Sequence, residues 1–118
     1  MGDLERYGDA WTRHLRLALL RALLDLKGRT GHESLLTDMV GAVHIMADRE
    51  QVRTELVWLH GEQLIVADVK HGALVATLTE AGTNVAEGRA DHPGVKRPNV
   101  TAGVGRTLLE ISLDSLKR

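Results

Sequence analysis

The chain has no cysteine and no phenylalanine, and its aromatic residues are limited to Tyr7, Trp11 and Trp58. The missing cysteine excludes disulfides, a thiol nucleophile and a cysteine-based zinc site, and it suits a reducing compartment. The missing phenylalanine leaves Leu, Val and Ala to build the core. No apolar run approaches the ~20 residues needed to cross a bilayer, so no membrane partner is expected. The acidic opening, with Asp3, Glu5 and Asp9, is unlike a signal peptide, and a cytoplasmic protein is expected. Charge is nearly balanced, at −1 overall, which offers no general attraction to nucleic acid.

What is present suffices for one domain: 118 residues, 43% hydrophobic and 26% charged, an ordinary globular composition. The charges are unevenly placed. Residues 1–30 carry six basic against four acidic side chains, residues 31–88 three against nine, and residues 89–118 six against three. The middle of the chain is acidic and both ends are basic. No internal repeat is visible.

Residues 1–9 are polar and are expected to fray. From Ala10 to about Lys27 apolar residues recur at helical spacing, with Trp11, Leu15, Ala18, Ala22 and Leu26 on one stripe and Leu17, Leu20 and Leu24 on the next. Gly28 is a stop signal, and Arg29-Thr30-Gly31 reads as a connection. His32 to His44 forms a second, shorter helix. Asp48 and Gln51 then have the spacing of a capping box and open a third helix. In it Val52, Leu56 and Leu59 face the core, which turns Arg49, Arg53 and Thr54 outward. Gly61 lies close to the helix end. Leu64-Ile65-Val66 begins a strand, Gly72 supplies the positive φ of a hairpin, and Ala73 to Leu78 returns. Thr79 caps a short helix to about Glu87, with Val85 buried and Gly82 a weak point.

Gly88 to Gly103 holds both prolines, several glycines, and Arg89, Lys96 and Arg97, the composition of a linker. Val104 to Lys117 is again helical, with Val104, Leu108 and Ile111 in one row and Leu109, Leu113 and Leu116 in another. The expected fold is mainly α with a small β-hairpin (α+β): a winged helix-turn-helix domain over 1–88, a basic Pro/Gly linker over 89–103, and an extra C-terminal helix over 104–118. A helix feeding a two-stranded ribbon is the second half of such a domain, so Asp48–Thr79 is its centre.

Several segments taken together resemble a family of small proteins encoded by Mu-like phages and prophages. They are LRLALLRALLD, HESLLTDMV, DREQVRTELVWLHGEQLIV and ALVATLTEAGTNVAEGRADHPGVKRP, covering roughly residues 10–98. RTELVWL, VATLTEAG and HPGVKRP carry the resemblance as a set. It implies a winged-helix fold similar to the ArsR and MarR regulators and a phage setting, more than a specific activity. Two features depart from that pattern. Gln63 stands where a glycine is usual before the wing, and the tail after Pro98 is longer than expected.

The function expected from these features is a dimeric winged-helix DNA-binding protein, a transcriptional regulator acting in the host cell. Arg49, Arg53 and Thr54 are the candidate contacts to double-stranded DNA, with Lys70 and His71 at the wing tip and Lys96 and Arg97 as secondary basic contacts. The bland alternative is that Arg49 and Arg53 are solvated charges paired with Glu50 or other nearby acids. Trp11, Leu15, Leu108, Ile111 and Leu113 are the candidate homodimer contacts, because two leucine-rich terminal helices need a partner surface. A second reading is a protein–protein adaptor in phage assembly or DNA packaging, with phage proteins as partners, supported by the acidic middle block. The six histidines show no helical zinc spacing, and no nucleophile motif, phosphate loop or paired carboxylates occur, so neither metal, cofactor nor catalytic residue is expected.

Overall fold

A computed structural model of the chain describes residues 3–98, with side chains from residue 8 onward. Its first helix, α1 (Asp3–Asp25), is the axis of the core: Leu15, Leu19, Leu20 and Leu23 are fully buried. The helix begins earlier than Ala10, since Gly8 lies inside it and Thr12 Oγ1 donates to the Gly8 carbonyl at 2.9 Å. It ends where Leu26 turns extended, and a short 3-10 turn (Lys27–Arg29) follows, with Gly28 at a left-handed φ of 72°.

The expected connection Arg29-Thr30-Gly31 contains a strand instead. Strand β1 (Thr30–His32) pairs antiparallel with β3 (Ala73–Leu78), which pairs on its other side with β2 (Ile65–Lys70). The chain is therefore α+β, with a three-stranded antiparallel sheet in the order β1-β3-β2 rather than a lone hairpin. Three residues are too few to show an alternating pattern, which is why β1 is invisible as a period. Its middle residue, Gly31, is buried where a Cβ would press on Leu26 and Leu36.

Helix α2 (Glu33–Ala42) is capped by His32, whose Nδ1 accepts from the Ser34 N–H at 3.0 Å. Helix α3 (Arg49–Gly61) opens on the expected capping box: Asp48 accepts from the Gln51 N–H, and the Gln51 side chain accepts from the Asp48 N–H. Val52, Leu56 and Leu59 are fully buried, as their spacing predicts. The helix stops two residues before Gln63, which takes a φ of 62°. The β2–β3 turn uses His71 and Gly72 at φ 52° and 78°, the two consecutive positive values of a type I′ hairpin.

Helix α4 (Glu80–Ala86) is capped by Thr79, whose hydroxyl accepts from the Gly82 N–H and donates to the Gln63 carbonyl. Gly82 is not a weak point. A Cβ there would run into the Leu64 carbonyl oxygen, so glycine is what lets α4 seat against the start of β2.

The segment expected as a linker folds back over the domain through residue 98. Val95 is buried in the core and the Lys96 N–H donates to the Arg13 carbonyl. Trp58 is its anchor: Arg16 lies 3.6 Å over the indole ring, and His92 meets the ring edge-on at 5.3 Å. Arg16 also donates to Glu55 at 2.7 Å and to the Gly94 carbonyl at 2.9 Å. The expected C-terminal helix lies outside the described residues.

Candidate nucleic-acid interface

Because α3 buries Val52, Leu56 and Leu59, the opposite side of the helix faces solvent. Arg49, Glu50, Arg53, Thr54 and Val57 line an open depression there. The two arginines are held together from below. Glu33, the first residue of α2, is fully buried, and its Oε1 accepts from Arg49 Nε at 2.9 Å. Arg53 forms a fork on the same carboxylate, Nε to Oε2 at 2.9 Å and Nη2 to Oε1 at 2.6 Å. Both arginine side chains stay half exposed, at 52% and 48%, while that of Glu33 is at 0%.

The electrostatics follow from that geometry. The Arg53 hydrogen bonds hold the Glu33 carboxyl down to about 2, against desolvation, with help from the Leu74 backbone and Arg49. Glu33 reciprocally raises the Arg53 pKa. Arg49, Arg53 and Glu33 together keep one net positive charge, and Glu50 lines the same depression beside them. Arg49 and Arg53 are thus paired, but with Glu33 sixteen and twenty residues away and not with a neighbour on their own helix. The sequence signal for Glu33 was only an acid in the first turn of a helix, which fits the helix dipole without revealing a partner.

The other expected contacts are dispersed. Thr54 Oγ1 donates to the Glu50 carbonyl at 3.0 Å, so its oxygen remains able to accept. Lys70 and His71 sit exposed at the hairpin tip. Lys96 lies along α1 instead, where it and Arg13 flank His14; burial first, then these two charges, lower the His14 pKa. Arg97 faces Asp91 at 3.5 Å. Arg16 is engaged inward and offers no exposed charge.

Of the expected dimer contacts, Leu15 is corrected: it is fully buried within its own chain and reaches no surface. Its stripe is taken up by the chain's own core, which a helical wheel alone does not distinguish from a subunit interface. Trp11 is half-buried against the same core. Leu108, Ile111 and Leu113 lie outside the described residues. Three of the described histidines have backbone roles: His60 Nδ1 accepts from the Ala67 N–H, His92 Nδ1 from the Gly94 N–H, and His32 caps α2. Among the described residues no three metal-binding side chains come together, and no helix is long and apolar enough to cross a membrane.

No family model matches the chain, and no solved structure does. The uncharacterized protein gp26 of Escherichia phage Mu is similar to it, 40% identical over 94 residues. The match spans 80% of this chain and 97% of gp26, so this chain is the longer of the two. At that identity, over nearly the whole of the relative, the chain belongs to the family of phage Mu gp26.

Proposed function

We propose that the protein binds double-stranded DNA as a homodimeric winged-helix transcriptional regulator of a Mu-like phage, with α3 as the reading helix and the β2–β3 hairpin as the wing. The observation that carries this reading is the pair of half-exposed arginine side chains on the outer face of α3, beside the hairpin. Arginine forks of this kind suit phosphate oxygens and the acceptors of guanine. The element order supports it as well. Three helices with a short strand after the first, then a hairpin ahead of α4, and the strand order β1-β3-β2 are the order expected of a winged helix. A homodimer would present two reading helices to half-sites ~34–36 Å apart.

Selection of fragments bound from phage and host genomic DNA tests the reading. The expected outcome is a recovered duplex that is bound in preference to a scrambled one of equal composition. Binding should weaken steeply with salt, and the double variant Arg49→Ala, Arg53→Ala should lose it. The adaptor reading is favoured by one feature, Val57, which lines the arginine depression and is 58% exposed. No preference for any duplex, together with capture of a phage protein that Val57→Asp abolishes, would establish the adaptor instead.

A further inference from the structure

We propose that Glu33 is the positioning residue of the DNA interface: from beneath the surface it fixes the Arg49 and Arg53 side chains, and it ties the reading helix to α2. The inference rests on the DNA-binding reading above and assigns a role to a residue that never touches DNA. Glu33 belongs to α2 and its two arginines to α3, so its carboxylate joins two helices. Three hydrogen bonds from two arginines therefore converge on one buried carboxylate.

The arrangement addresses a specific cost. An arginine free to sample its rotamers loses side-chain entropy when a ligand fixes it. Arg49 and Arg53 are already fixed, with Nε of each engaged and Arg53 Nη2 engaged as well. Both Nη groups of Arg49 and Nη1 of Arg53 have no hydrogen bond within the chain among the described residues, and both arginine side chains are half exposed. The Glu33 charge lies beneath them at zero exposure, so of this trio an approaching phosphate meets the arginine donors first, with Glu50 the acid beside them.

Positioning and simple charge balance predict opposite signs. Removing a carboxylate beside two arginines adds net positive charge and, by charge alone, tightens DNA binding. Loss of positioning weakens it. The measurement is fluorescence anisotropy of the full chain with the duplex recovered by selection and with its scrambled counterpart, between 50 and 200 mM salt (about the range over which counterion release is read). Glu33→Gln keeps the shape and removes the charge; Glu33→Asp keeps the charge and withdraws it by one methylene. Both are expected to bind the selected duplex at least ~10-fold more weakly, a loss of about 1.4 kcal/mol, and to lose preference over the scrambled one. Tighter binding by Glu33→Gln with unchanged binding by Glu33→Asp would overturn the inference and leave the DNA reading intact. Failure of the wild-type chain to prefer any duplex would remove that reading, and the inference with it. Should either variant unfold, the Arg49 and Arg53 Nε–H resonances of the unliganded wild type decide: slow solvent exchange supports fixed forks, and rapid exchange averaged with the other arginines sinks them.

Discussion

Gln63 holds a left-handed φ of 62° at the position where α3 hands over to β2, and its carbonyl accepts from Thr79. A side chain there costs of the order of 1 kcal/mol, which a glycine would relieve at some entropic expense in the unfolded chain. Gln63→Gly is expected to raise stability by about 0.5–1 kcal/mol in urea titration. Gly82→Ala has the opposite sign, because its Cβ meets the Leu64 carbonyl rather than a side chain that can turn away. A loss of more than about 2 kcal/mol is expected. Glu33 sets a pH dependence. Its carboxyl is held at about 2 in the folded chain against an ordinary 4.5. Its stabilising contribution is therefore complete above about 4.5 and is lost as pH falls from there towards 2. Across that window Glu33→Gln should lose less stability than the wild type, which urea midpoints at the two ends would register.

The elements with long apolar periods were legible in the sequence. Val52, Leu56 and Leu59 predicted the buried side of α3, Asp48 and Gln51 its cap, and Gly72 the hairpin. What stayed hidden depends on contacts between distant positions. Strand β1 is three residues long and owes its identity to β3, more than forty positions away. Glu33 is indistinguishable from any first-turn acid until α3 and β3 close over it. The Gly88–Pro98 stretch has the composition of a linker, yet Trp58, Arg16 and Val95 hold it to the domain. Gly94 is the vulnerable point of that strap, since a Cβ there would enter the Trp58 ring. Gly94→Ala should detach the strap while leaving the core folded. Limited proteolysis is expected to cut within residues 88–98 faster than in the wild type, with far-ultraviolet circular dichroism little changed. Equal protection of both proteins would remove Trp58 as the anchor.

The charge of the whole chain limits how it can hold DNA. With −1 overall and an acidic middle block, it has no broad positive field to draw in a duplex. Affinity then has to come from a few placed groups. Arg49, Arg53 and Lys70 are the described cations on α3 and the hairpin, and Glu50 lines the same depression and opposes them. Three phosphate contacts correspond to a slope of about −3 in log affinity against log salt, and two copies to about −5. The Lys96 and Arg13 charges beside His14 steepen the slope only if the duplex also reaches α1. Slope and mass therefore test the homodimer jointly. Light scattering at micromolar concentration is expected to give the mass of two chains, and the slope should lie near −5. A monomer with a slope near −3 would remove the dimer and keep the interface, because Arg49 and Arg53 belong to one chain and are fixed by that chain's own Glu33. A dimer with no measurable slope would point the other way, to a surface made for a protein partner, with the exposed Val57 as part of it.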